Sequence, residues 1–345
     1  MEEKRPEVRI YQPGKDDERV VALFNLVFEE KISPALWRHK YAENPAGGWA
    51  FLTFVGEELV SVAGWLVRRF LLDGDVFPVA SMGDVMVHPA WRGRFGGRLG
   101  SMARPLWEEI FNQAGIIFGL GFPNPKHYLV GKRFVRAQDM GNFEVGIEVF
   151  SRLWRLPTLA EIMRRLRALA RKSPALFPEM IPLSNTDHKG FKKKLEKIWE
   201  KTKSDLKVCF IKDYLYLNWR YFTWEKLSPE KTRAFFLLHR GKEPVAFLIL
   251  RRVFIGPIKG FELEEIVCPR EEAPVALETT KVLTLKAGGH FLRYLISPAL
   301  GFRAKRVERK APALWRPFAY RGKLSLLQKK IAPERWHLSL GDIAL

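Results

Sequence analysis

Three arginines and three glycines fall within seven residues, Arg92-Gly93-Arg94-Phe95-Gly96-Gly97-Arg98. An apolar strand pattern, Met82–His88, runs into Pro89 just before them, and a helical pattern from Gly97 to about Gln113 follows. A chain that leaves a strand, turns on glycines and opens a helix presents backbone N–H groups with no acceptor, at the positive end of the helix dipole. Glycines let an anion approach without a Cβ in the way, and arginines add charge-assisted hydrogen bonds. The chemistry this predicts is phosphate binding. The loop has no Gly-Lys-Ser/Thr ending of a Walker A sequence and no Gly-x-Gly-x-x-Gly, so neither the P-loop nor the dinucleotide fold is indicated.

Other reaction chemistries find less support. His39, His127, His188, His239, His290 and His337 show no metal-ligand spacing, and His88 precedes Pro89 as a strand-end residue. Two cysteines, Cys209 and Cys268, supply neither a disulfide framework nor a four-cysteine zinc site. No Ser-His-Asp set stands out, and no metal is expected.

The elements that must position the loop are legible on either side. A helical pattern covers about Asp16 to Glu29, and Trp37-Arg38 and Tyr41–Pro45 follow. A hairpin joins Ala50–Val55 to Leu59–Arg68 through Gly56-Glu57-Glu58, and Asp73-Gly74-Asp75 turns the chain toward Met82–His88. Ile116–Phe122 reads as an apolar strand after the helix ends near Gly115. The second half retraces this order. Trp219-Arg220 stands 182 residues after Trp37-Arg38, Ala234-Phe235 stands 184 after Ala50-Phe51, and Pro269 stands 180 after Pro89. A helix from about Glu272 to Lys286, a Gly288-Gly289 break and a strand His290–Ile296 complete the parallel. A shared order at near-constant offset predicts a duplicated α/β unit, with a period too long for a solenoid.

Val87-His88-Pro89-Ala90-Trp91-Arg92-Gly93, with Gly97 four residues on, resembles motif A of the GNAT N-acetyltransferase superfamily, whose loop holds the pyrophosphate of acyl-coenzyme A. Gly121-Phe122-Pro123-Asn124-Pro125, followed by Arg133-Phe134, resembles that family's motif B. The resemblance covers residues 5–150 well and 210–310 weakly. It implies an α/β (α+β) protein of two tandem GNAT-like domains, each a mixed, mostly antiparallel sheet flanked by helices. The expected division is an acyl-CoA-binding domain at 1–150, a basic helical connector at 151–205, and a degenerate copy with a basic tail at 206–345.

The resemblance also implies roles. Backbone groups of Met86 and Val87 would bond the pantetheine and polarise the thioester; Arg92, Gly93, Arg94, Phe95, Gly96, Gly97 and Arg98 would hold the phosphates; Asn124 would touch pantetheine. Asp84, facing the same side as Met86, would be the general base, and Tyr128 the acid for the leaving thiolate. Two departures stand out. Phe95 occupies a position the family gives to glycine, and Cys268-Pro-Arg-Glu-Glu-Ala-Pro274, with no glycine, replaces the phosphate loop in the second copy. One active site per chain follows. The implied activity is transfer of an acyl group other than aminoacyl, acetyl first among them, from acetyl-CoA or another acyl-CoA to a small-molecule, peptide or sugar amine.

The net charge of +20 invites a different reading, a non-catalytic protein that grips nucleic acid. Residues 1–150 carry 18 basic and 19 acidic side chains, whereas 151–210 carry 15 and 6 and 302–345 carry 11 and 3. The charge therefore sits outside the phosphate-loop unit. Trp315, Phe318 and Tyr320 lie among Arg316 and Arg321 as candidate stacking groups, yet no recognised nucleic-acid motif is present. The basic, amphipathic Thr158–Lys172 could lie on an anionic surface, although a packed linker fits its apolar face better. No apolar run approaches the ~18 residues of a membrane span, and the N-terminus lacks a signal-peptide pattern, so a cytoplasmic protein is expected.

Overall fold

Glu58–Leu72 is a run of fifteen residues, apolar but for Glu58, Ser61, Arg68 and Arg69 and buried almost throughout, the pattern of a strand covered on both faces. In the computed structural model, which describes residues 5–28, 31–150, 176–304, 306–318, 327, 331 and 336–343, it is the long central strand of the first unit. That unit contains β1 (Pro6–Ile10), α1 (Asp17–Val27), α2 (Pro34–Tyr41), β2 (Gly48–Val55), β3 (Glu58–Leu72), β4 (Asp75–Val87), α3 (Arg104–Gln113), β5 (Phe118–Gly121), α4 (Pro125–Val130) and β6 (Gln138–Val149). The second contains β7 (Phe177–Ile181), α5 (Lys189–Asp205), β8 (Val208–Phe210), β9 (Arg233–Arg240), β10 (Glu243–Ile255), β11 (Ile258–Val267), α6 (Ala273–Lys286), β12 (Phe291–Leu295) and β13 (Val307–Pro317), followed by β14 (Trp336–His337). The helix expected over Thr158–Lys172 lies outside the described residues, as do Tyr320 and Arg321.

The two units share one sheet, ordered β1-β2-β3-β4-β5-β13-β6-β12-β11-β10-β9-β7. Matching each strand to its counterpart in the other unit makes this order a palindrome. The centre shows how: β13 lies between β5 and β6, while β6 lies between β13 and β12. Each unit thus inserts its last strand into the edge of the other. Pairing along the main path is antiparallel except at β4–β5 and β11–β12, which are parallel.

Helices follow their apolar spacing. Phe191, Leu195, Ile198 and Trp199 form the buried stripe of α5, and Trp107 and Phe111 that of α3. Truncating either α3 aromatic to alanine removes a fully buried ring and costs about 3–5 kcal/mol. The largest core spans both units through α1, α2, α5 and the second half of the sheet; a smaller one lies under α3.

Candidate active site

β4 and β5 pair through only Ala80↔Gly119 and Ser81↔Leu120, and then part. From Met82 onward β4 keeps its neighbour on the β3 side alone, so its other edge faces a gap. That gap is a cavity of about 350 Å³, a size typical of small-molecule sites. β4 also bulges here. Gly64 pairs with Gly83 and Val62 with Met86, leaving Asp84 and Val85 opposite a single residue. Asp84 takes a left-handed conformation at φ +46°, unusual for a non-glycine residue. The bulge turns its side chain onto α2, where Lys40 Nζ stands 2.6 Å away and the Tyr41 hydroxyl donates to Asp84 Oδ2 at 2.7 Å. Burial, and then the Asp84 carboxylate, push the Tyr41 phenol well above its ordinary pKa, so it stays a donor. The contact requires Gly64: a Cβ there would lie 1.9 Å from the Tyr41 hydroxyl oxygen. Met86 is buried in the same core as Tyr41, and Val87 pairs with Ser61.

The arginine-glycine loop departs from the sequence expectation. α3 begins at Arg104, not at Gly97. Phe95, Gly96 and Gly97 have φ of +50°, +65° and +72°, which an α-helix cannot contain, and short 3₁₀ turns bridge the interval. The N–H groups opening these turns have no intrahelical acceptor. Phe95 stacks parallel to Trp91 with centroids 6.2 Å apart, and the Arg94 guanidinium sits 4.6 Å from the Trp91 ring centre. Trp91 Nε1 donates to Glu58 at 2.8 Å, fixing the pair to the β2–β3 turn. Arg92, Arg94 and Arg98 are exposed, and among the described residues none pairs with a carboxylate.

The opposite wall follows β5. Asn124 caps α4, its Oδ1 accepting from the His127 N–H at 3.0 Å, and both residues line the cavity. Tyr128 turns the other way, and its hydroxyl donates to Asp139. That hydrogen bond holds the Tyr128 phenol above its ordinary pKa. A π-helical turn, Gly131–Val135, closes the wall. Two arginines grip its carbonyls: Arg104 donates to Phe134 O at 3.1 Å and Arg316 donates to Val135 O, while both pair with Glu108 on α3. Arg316 arrives on β13, so the first unit's cavity is walled in part from the C-terminal end of the chain. Lys40, Tyr41, His127 and Arg316 were not singled out from sequence for this site; only Lys40 and Tyr41 carried a signal, through their adjacency to Trp37-Arg38. Trp315, a candidate stacking group for nucleic acid, is 1% exposed, and Phe318 packs against Trp107 and Phe111.

The second unit has the same parting, because β11 and β12 pair only through Phe261↔Leu292 and Glu262↔Arg293. Here the chain's own end fills the space. His337 Nε2–H donates to Ile266 O at 3.4 Å, and its Nδ1 accepts from Ser297 at 3.2 Å. Lys212 Nζ lies 2.5 Å from Glu265 and 2.9 Å from Asp342, which also pairs with Arg68 of β3. Burial works against the Lys212 charge, but the two carboxylates outweigh it and keep the ammonium charged. The turn before α6 adds no phosphate loop, and Cys268 at its start is buried. Among the described residues no group of three metal-ligating side chains occurs, and no helix is long and apolar enough to cross a membrane.

A mixed sheet whose fourth and fifth strands part beside a glycine-rich turn is the arrangement of a GNAT fold, and comparison with known proteins agrees. Residues 8–128 match the acetyltransferase (GNAT) domain family. No curated protein matches the sequence. Among solved structures, a GCN5-related N-acetyltransferase from Kribbella flavida is 15% identical with a TM-score of 0.59, covering 91% of this chain and 72% of its own. A probable N-acyltransferase from Enterococcus faecalis is 12% identical with a TM-score of 0.62, covering 92% and 73%. Saccharomyces cerevisiae N-myristoyltransferase with bound myristoyl-CoA is 13% identical with a TM-score of 0.55, covering 92% and 79%. At these identities the likeness is one of fold. The chain carries a GNAT domain in residues 8–128, within a two-unit α/β architecture.

Proposed function

We propose that the chain is an acyl-CoA-dependent N-acyltransferase with one active site, in the first unit. The observation that carries this reading is the parting of β4 from β5 beside an exposed loop whose three arginines have no carboxylate partner among the described residues. The unpaired β4 edge from Met82 to Val87 offers backbone donors and acceptors to pantetheine amides, and the loop of Arg92, Arg94 and Arg98 offers phosphate contacts. Among the described residues nothing occupies this gap, whereas the equivalent gap in the second unit holds residues 336–343.

In the proposed reaction the acceptor nitrogen attacks the thioester carbonyl carbon, a C–N bond forms and the C–S bond breaks. Asp84, on the cavity wall, takes the proton the amine must lose, with Lys40 and Tyr41 fixing its carboxylate. Met86 and Val87 backbone groups supply the polar contacts where charge develops on oxygen. Tyr128 stays the proposed proton source for the departing thiolate, a role that requires its hydroxyl to leave Asp139 and turn toward the cavity. The acceptor is a small-molecule, peptide or sugar amine, with an anionic one favoured by the +20 field. A cytoplasmic setting, where acyl-CoA is made and used, belongs to the same reading.

The test is acyl-CoA-dependent release of free thiol across a panel of amines. The reading predicts turnover with at least one amine and its loss in Asp84→Asn. Amine-independent thiol release, or none with any amine, counts against it.

A further inference from the structure

The cavity is unevenly furnished. Its carboxylate, hydroxyl, amide and guanidinium side chains are already engaged: Asp84 with Lys40 and Tyr41, Ser101 with Arg98 O at 3.0 Å, Asn124 with the His127 N–H, and Arg316 with Val135 O and Glu108. Burial pushes the His127 imidazole below its ordinary pKa, so it is neutral near pH 7. What remains for a ligand is mostly apolar wall, including Met82, Phe122, Val135 and Leu314.

On the β5 side of this wall, one glycine opens space. Gly119 and Gly131 are glycines because neighbours fill the place of a side chain; a Cβ would come within 2.9 Å of Phe318 at Gly119 and 2.7 Å of Leu314 at Gly131. At Gly121 a Cβ would meet only Met82 Cβ, at 3.7 Å, an ordinary contact with nothing closer beyond it. Gly121 stands just past the last β4–β5 pair, at the narrow end of the gap where the thioester end of a donor would arrive. We propose that the space before Gly121 receives the acyl chain, and that the donor carries an uncharged aliphatic acyl group longer than acetyl. The inference rests on the acyl-CoA reading above. Among the described residues the wall holds no cation free of a carboxylate, so an anionic acyl tail finds nothing there to pair with, whereas each methylene buried there improves binding by roughly fourfold.

Competition equilibrium dialysis on the full chain compares free CoA, acetyl-CoA, hexanoyl-CoA and succinyl-CoA. The expected result is hexanoyl-CoA at least tenfold tighter than acetyl-CoA, with succinyl-CoA no tighter than acetyl-CoA. If free CoA binds but hexanoyl- and acetyl-CoA agree within twofold, or succinyl-CoA is tightest, the acyl pocket is overturned while the donor reading stands. If no CoA species binds, both fall. Gly121→Leu fills the space and should bring the hexanoyl-to-acetyl ratio close to one, and Gly121→Val should lower it part-way, which keeps the test readable if the larger side chain prevents folding. An unchanged ratio in a folded variant places the chain elsewhere and overturns the proposal.

Discussion

His39 and Trp219, 180 residues apart, hold each other by reciprocal hydrogen bonds: His39 Nε2–H donates to the Trp219 carbonyl at 2.7 Å, and Trp219 Nε1–H donates to the His39 carbonyl at 2.9 Å. The spacing matches the internal repeat, so corresponding corners of the two units meet face to face where the units pack. His39→Ala leaves a buried carbonyl without its donor, a loss of about 1–3 kcal/mol. Urea unfolding should show this as a lower midpoint. A split into two transitions would show that the units fold separately and that this contact is not what couples them.

The Lys40–Asp84 pair sets a second expectation, because both side chains are under a tenth exposed. Removing one partner strands a buried charge, which typically costs about 3–5 kcal/mol. Asp84→Ala should therefore lose stability as well as turnover, and Asp84→Ala combined with Lys40→Met should recover much of the stability but none of the turnover. Recovery of both would mean that Asp84 serves the fold alone.

Phe95 stands where the φ of +50° favours glycine. A side chain in that region costs about 1–2 kcal/mol, more for a β-branched residue. Phe95→Gly should keep CoA affinity within a few-fold despite the lost stack on Trp91, whereas Phe95→Val should weaken it at least tenfold by reshaping the loop. Equal effects of the two substitutions on the measured Kd would separate loop geometry from binding.

The plug in the second unit predicts an acid-sensitive fold. Burial, and then Lys212, push His337 down to about 3, below its ordinary value of 6.5. A folded pKa below the unfolded one means that the unfolded chain binds the proton first. Stability is thus complete above about pH 6.5 and falls toward pH 3, by roughly 1.4 kcal/mol per pH unit. Asp342, held low against its burial by Lys212 and Arg68, adds to the loss only below the ordinary carboxylate range. Glu265 is raised by burial, but it is common to the parent and a His337→Gln variant, so their difference isolates the histidine. Melting temperatures between pH 7.5 and 5 should fall more steeply in the parent. Parallel curves would remove His337 from the account.

Much of this was readable from residue order because it is local. The hairpin turns, the helix Ala273–Lys286 and the strand Phe118–Gly121 follow from apolar period and turn residues. The repeat, visible through Trp37 and Trp219, foretold the two-unit sheet. The late start of α3 at Arg104 was hidden because Phe95 gives no sequence sign that it will adopt a glycine's conformation. Long-range pairing was hidden for a different reason. Nothing near Arg316 says that its strand will lie between β5 and β6, or that it will grip Val135 across 181 residues of chain. Asp84 was visible as a strand-four acid, but its partners Lys40 and Tyr41 come from a helix some forty residues earlier, and only the fold brings them together.

Of the two corresponding gaps in the sheet, the one between β4 and β5 is the proposed coenzyme A site. Calorimetric titration of the full chain with CoA should show saturable binding with one CoA per chain, abolished or greatly weakened when Arg92, Arg94 and Arg98 are all changed to Gln. No binding heat at any concentration, or two equivalent sites per chain, would contradict it.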